Sequence, residues 1–212
     1  MILLELLNMV TRLWHAYERM LQTHPIITKI AVASPMFALT DVAVQTIEQR
    51  RDKDLSREGK RGSDETTLDL RRTATQALFG VYYATVHAHF IWGRLEVLFG
   101  GVTFLTPFAG ALSRVCIDQF ITGTPLFNTV FFYTTGRLAQ GMSHEDAMQN
   151  VSHRLWPMLC AHWSFWVPFH TLNFWLVPFR HRIVPAQIAL FGWSAFMSYT
   201  GAKKQHPAAT IE

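Results

Sequence analysis

The sequence predicts an all-α protein: a polytopic membrane helix bundle with four to six apolar helices plus an amphipathic N-terminal helix. Three observations lead there. Half of the 212 residues are hydrophobic, 13% are aromatic and only 16% are charged, against about 25% charged in soluble domains. The charges are unevenly placed: fifteen of them, eight Lys/Arg and seven Asp/Glu, fall between Glu48 and Arg72. The remaining chain divides into nearly uncharged segments, several close to the roughly 20 residues a helix needs to cross a bilayer. One membrane domain over 1–212 follows, with an amphipathic helix at 1–22, a charged solvent-exposed loop at 48–72 and the rest of the bundle at 73–202.

Within residues 2–21, Leu3, Leu6, Leu7, Val10, Leu13, Trp14, Tyr17 and Leu21 fall near one stripe, with Arg12 and Arg19 off it. Such a helix lies on a membrane surface or covers the bundle. His24-Pro25 marks a break, with Pro25 suited to a helix start. Residues 26–47 form the first span, with Lys29 and Asp41 its only charges. The 48–72 loop carries Gly59, Gly62 and Ser63 near its centre, and its eight Lys/Arg place it on the cytosol-like or matrix-like side. Residues 73–99 form a second span, ended by Gly100-Gly101. Residues 102–121 form a third, punctuated by Gly123 and Pro125. Residues 126–141 are apolar but short. Ser143 opens a capped polar helix, with Glu145 and Asp146 in its first turn, to about Leu155. Residues 156–179 form the next span. Arg180-His181-Arg182 and Pro185 turn the chain, and residues 186–202 end it at Lys203-Lys204.

Several functions are disfavoured by composition. The net charge of +4 comes with interleaved acids and no Lys/Arg stripe, so no nucleic acid is expected as a direct partner. Cys116 and Cys160 sit inside apolar spans and read as core residues, without a disulfide framework. The start has no basic region and Glu5 interrupts it, so no secretory signal is expected. Glu5 and Glu18 make a poor transit peptide, so an internal targeting signal is expected. The C-terminal Thr-Ile-Glu lacks the Ser-Lys-Leu peroxisomal address. His87 and His89 point to different helix faces, and His162 and His170 are two turns apart, so neither pair chelates a metal unaided. No Gly-rich phosphate loop, nucleophile elbow or Ser/His/acid grouping stands out. The expectation is a protein that is not an enzyme and holds no cofactor or metal.

The informative residues are polar ones inside the spans. Asp41 and Gln45 are one helical turn apart. Arg114 and Asp118 share that spacing and are expected to pair, and Gln119 follows. From Cys160 to Phe179 the chain is almost wholly apolar and aromatic, yet His162, Trp166, His170 and Asn173 recur at steps of four, four and three, on one side of a helix. Polar groups in hydrocarbon are costly without partners. These residues therefore either stitch helices together, at roughly 0.6–2 kcal/mol per bond, or line a polar path. Trp92, Trp156, Trp163, Trp175 and Trp193 lie near span ends, where interfacial belts form.

Taken in order, Trp14-x-x-Tyr17, His24-Pro25-x-x-Thr28-Lys29, Thr40-Asp41-x-x-x-Gln45, Asp69-x-x-Arg72-Thr73, His89 with Trp92 and Leu95, Asp118-Gln119, Trp163-x-x-Trp166, Asn173-Phe174-x-x-Val177-Pro178-x-x-x-Arg182 and Trp193 resemble the Mpv-seventeen / peroxisomal membrane protein twenty-two family. The likeness runs from Leu13 to about Ser198. Thr85-Val86 stands where the family has Gly-Pro, Val167 follows Trp166 with Pro168 displaced by one, and Ser194 replaces an Asn. His162 stands where Asn is usual and His170 where Gln is usual, so the polar face has become titratable. The resemblance implies an integral protein of the mitochondrial inner membrane or, alternatively, the peroxisomal membrane. It implies a channel-like role in passage of small solutes and organelle homeostasis, and supplies no catalytic residues. If His162 and His170 line a pore, conductance should change near pH 6 to 7. The rival is a non-conducting subunit of a larger membrane complex or a homo-oligomer, with membrane lipid as the constant partner.

Overall fold

The computed structural model describes residues 2–57, 67–100 and 106–204, and these are helical throughout apart from short joints. The elements are α1 (Ile2–Thr23), α2 (Pro25–Arg57), α3 (Leu70–Tyr82), a π-helical segment (Tyr83–Ile91), α4 (Trp92–Gly100), α5 (Pro107–Phe120), α6 (Gly123–Thr134) with a π turn (Thr135–Ala139), α7 (His144–Leu176), a 3-10 turn (Phe179–His181) and α8 (Ile183–Lys204).

The ends of the helices follow from local chemistry. His24 alone joins α1 to α2, and Pro25 takes the first helical position, where a missing N–H costs nothing. Asp69 caps α3 by accepting from the Arg72 N–H at 2.9 Å, and Thr106 caps α5 by accepting from the Ala109 N–H at 3.2 Å. Ser143 caps α7 as expected, accepting from the Asp146 N–H at 3.1 Å. Extended Val177, followed by Pro178, stops α7.

Two boundaries differ from the sequence reading. The first helix of the bundle continues past residue 47 to Arg57, so part of the charged segment is helical; residues 58–66 lie outside those described. The expected break near Gly123 and Pro125 is present between α5 and α6, and both residues lie in the first turn of α6. The polar helix from Ser143 and the apolar span from 156 are one 33-residue helix, α7, which passes through Pro157 and Pro168. At 1.5 Å per residue it is about 50 Å long. A change from polar to apolar sequence moves a helix between solvents without breaking its backbone. Residues Pro25–Arg51 are long and apolar enough to cross a membrane, with a mean hydropathy of 1.5. No other described helix meets that measure.

The core is made by Ala33 and Phe37 of α2, Phe79 through Trp92 of the α3–α4 helix, Ala111 and Val115 of α5, Phe174 of α7, and Ile183 and Ala186 of α8. Helix α2 packs between α3 and α8, and α7 packs on α5 and α6. Gly80 sets the α2–α3 distance: a Cβ there would stand 2.7 Å from the Ser34 Cα. Ser34 Oγ donates across the same crossing to the Ala77 carbonyl at 2.9 Å. Small residues at a close crossing are how helices associate where apolar burial offers little.

Both cysteines are exposed, against the expectation of core positions. An apolar span can turn a residue toward the core or outward, and hydrophobicity does not choose. The same holds for the tryptophans: Trp156 and Trp175 are exposed, whereas Trp92 is fully buried.

Candidate polar cavity inside the bundle

Five helical segments each contribute one stripe to an internal cavity of about 280 Å³. Helix α2 supplies Phe37, Thr40, Asp41, Val44 and Glu48. The α3–π helix supplies Arg72, Gln76, Tyr83 and His87. Helix α6 supplies Thr124, Phe127, Asn128 and Phe131, α7 supplies Met158, His162, Trp166 and His170, and α8 supplies Ala186, Gln187, Leu190, Trp193 and Ser194. The stripes recur at steps of three and four, as one helical face requires. Along α2 they extend for about 16 Å.

At one end the cavity is bounded by an ionic cluster. Arg72 Nε lies 2.7 Å from Asp41 Oδ1, and its Nη1 donates to Glu48 Oε2 at 2.9 Å. Gln45 tightens this cluster without lining the cavity. Its Nε2 donates to Asp41 Oδ2 at 2.7 Å, to Thr73 Oγ1 at 3.0 Å and to the Asp69 carbonyl at 3.1 Å, and its Oε1 accepts from the Asp69 N–H at 2.7 Å. The expected Asp41–Gln45 contact is therefore present, and its consequence is to tie α2 to the start of α3. Gln45→Ala is expected to lower stability by about 2 kcal/mol, because it leaves buried Asp41 short of a donor. The thermal midpoint of the detergent-purified protein checks this.

Deeper in, aromatic and imidazole rings interlock. His162 stacks on Trp166 at 5.3 Å between centroids, and Trp166 stacks on His170 at 5.1 Å. His170 meets the edge of Trp92 at 5.4 Å, and Trp92 meets His87 at 5.5 Å. His87 also stacks on Tyr83 at 5.2 Å and faces Asp118, with Nε2 at 3.4 Å from Oδ1. Asp118 is wholly buried and accepts from Gln119 Nε2 at 2.8 Å.

Of the residues singled out by sequence, Asp41, His162, Trp166 and His170 line the cavity. The others stitch helices. Asn173 Nδ2 donates to the Arg182 carbonyl at 3.1 Å, and the Gln119 carbonyl accepts from Trp163 Nε1 at 2.8 Å. The expected Arg114–Asp118 pair does not form. Arg114 turns to Glu96, with Nε at 3.6 Å, while Asp118 turns to His87. The spacing allowed a pair within α5, but neighbouring helices present a carboxylate to one residue and an imidazole to the other. His87, Arg72, Asn128 and Gln187 are among the polar lining residues that sequence reasoning did not select as site residues. Gln187 and Ser194, seven apart in an apolar segment, carried the same signal as the α7 face.

Several buried polar atoms of this lining have no hydrogen-bond partner among the described residues: Thr40 Oγ1, His87 Nδ1, Trp166 Nε1, His170 Nδ1 and both side-chain atoms of Gln187. Buried polar groups normally find partners; most of the cavity wall is apolar, and these few atoms mark where it carries unpaired polarity. No group of three or more His, Cys, Asp or Glu placed to hold a metal occurs among the described residues.

Comparisons with known proteins agree on one kinship. Residues 137–198 match the model of the Mpv17 / PMP22 family. The chain is 32% identical over 143 residues to Protein SYM1 of Mycosarcoma maydis, covering 68% of each chain. It is 26% identical over 191 residues to the mitochondrial inner membrane protein Mpv17 of Danio rerio, covering 90% of this chain and 98% of the relative. It is 24% identical over 185 residues to peroxisomal membrane protein 2 of Bos taurus, covering 87% of each. No solved structure matches.

Proposed function

The chain belongs to the Mpv17 / PMP22 family, and from that premise we propose a polytopic protein of an organellar membrane that passes small solutes through its internal cavity. The names of the relatives support the mitochondrial inner membrane first and the peroxisomal membrane second. Four to six of the helices cross the bilayer in this reading, with α2 the clearest by length and composition. Neither a cofactor nor a catalytic step is part of the proposal.

The observation that carries it is the cavity lining. Gln187 is 2% exposed, yet neither its amide oxygen nor its nitrogen has a partner among the described residues. An unpaired buried amide costs about 1–3 kcal/mol, and a turn of this side chain toward the cavity would offset that through a bond to water or a passing solute. Purified protein in lipid vesicles is expected to release small polar solutes. Gln187→Leu should slow release at least about threefold while leaving the thermal midpoint unchanged or higher, since it removes an unpaired polar group. Folded native protein that passes neither ions nor solutes would sink the proposal.

A second reading rests on α1. Leu6, Leu7, Val10, Leu13 and Trp14 are exposed along its apolar stripe, a surface that a larger membrane complex or a second copy would cover. Native sizing after gentle extraction separates the two: a fixed place in a large assembly, together with no flux, favours the structural subunit.

A further inference from the structure

A second polar cluster lies away from the cavity, near the turn that follows α7. Arg182 is 3% exposed. Its Nη1 donates to Glu96 Oε2 at 2.7 Å, its Nε to the Val177 carbonyl at 3.0 Å and its Nη2 to the Phe174 carbonyl at 3.2 Å. Arg114 approaches the same Glu96 oxygen, but only at 3.6 Å, and its buried Nε makes no hydrogen bond. Lys29, also 3% exposed, donates to the Ala88 carbonyl at 2.9 Å and lies over the Phe179 ring at 4.6 Å; the Arg182 guanidinium flanks that ring at 5.8 Å. Two cations, Arg182 and Arg114, thus share one carboxylate, with Lys29 nearby against the Phe179 ring.

One positive charge in excess at this carboxylate, largely out of water, needs an anion. Glu96 is about one-third exposed, so the cluster opens to the surface there. The surface beside it is apolar: Val97 and Leu98 on α4 and Phe108 and Leu112 on α5 are all exposed. An anion at this place would therefore have hydrocarbon beside it.

We propose that Arg114, with Arg182 beside it on Glu96, holds the phosphate of an anionic phospholipid whose acyl chains lie along the exposed α4–α5 surface. Arg114 is the residue with donors to spare, and a guanidinium fork matches phosphate oxygens. Basic sites between helices near a bundle end take lipid head groups in this way. The site depends on the chain residing in a membrane and is independent of whether the cavity conducts.

Native mass spectrometry of the detergent-purified chain, after exchange through mixed phosphatidylcholine and phosphatidylglycerol, reads the retained lipid directly. Phosphatidylglycerol is expected to be retained at least about tenfold over phosphatidylcholine. Arg114→Gln should abolish that preference, and Arg114→Lys should keep part of it. Arg154→Gln, an exposed site on α7, should not change it. Circular dichroism and the thermal midpoint confirm that the variants are folded. Equal retention of the two lipids, or an unchanged preference in folded Arg114→Gln, overturns the proposal. Displacement of phosphatidylglycerol by millimolar inorganic phosphate also overturns it, in favour of a free-phosphate site. Stoichiometric retention of a protein partner in place of lipid assigns the surface to a protein carboxylate instead. Solute release is a separate measurement, so failure of either proposal is recognised without the other.

Discussion

Gly123→Ala is expected to lower stability by about 2–3 kcal/mol, because overpacking a closed site forces its neighbours to move. The methyl group would collide with Asp118 Oδ1 and stand 2.8 Å from the His87 ring. Asp118 cannot yield easily: it is fully buried, held by Gln119 Nε2 on one oxygen and facing His87 on the other. Alanine is the better helix former by at most about 1 kcal/mol, and Gly123 is the first residue of α6, where that gain is smallest. The clash therefore wins. A double-mutant cycle gives the sharper check. In an Asp118→Ala background the obstructing carboxylate is gone, and Gly123→Ala should cost at least about 1 kcal/mol less, the non-additivity expected of residues in contact. Equal costs in the two backgrounds would show that Asp118 is not the obstacle. Thermal midpoints in detergent are the readout.

Arg182→Ala is expected to cost about 3–5 kcal/mol, the range for removing one partner of a buried pair. The loss is threefold in kind. The carbonyls of Phe174 and Val177 at the end of α7 lose their donor, Glu96 keeps only the distant Arg114, and Phe174 loses the cation 4.5 Å above its ring. Arg182→Lys keeps the charge but not the fork, and should recover less than half of the loss. If Arg182→Ala melts with the native protein, the α7–α8 turn is held by something other than this guanidinium.

Much of the fold was legible because helices write their faces into spacing. His162, Trp166 and His170, four residues apart, share one face of α7, and Asp41 and Gln45, one turn apart, are in contact. What spacing cannot supply is the neighbour. Arg114 and Asp118 each find a better partner on another helix, Glu96 and His87, and Asn173 turns from the cavity to a backbone carbonyl. The π segment from Tyr83 to Ile91 left no mark on the hydrophobic pattern, yet the Ala88 carbonyl within it receives Lys29. Exposed Cys116 and Cys160 illustrate the same limit from outside. Lipid and protein interior are both apolar, so composition alone does not say which one a residue meets. The change from polar to apolar composition near residue 156 suggests a boundary, but α7 continues through it, with Pro157 and Pro168 inside the helix.

The cavity stripe on α7 also has a handedness. Met158, His162, Trp166 and His170 are each four residues apart, whereas a full turn takes 3.6. Every step therefore advances the lining by about 40° around the axis, or about 120° from Met158 to His170. The α7 wall of the cavity is twisted rather than straight. In the solute passage proposed above, a compact or jointed molecule would follow this wall better than a long rigid rod. Inserting one residue into α7 would swing the imidazoles about 100° away, replacing the polar wall without altering a single lining side chain.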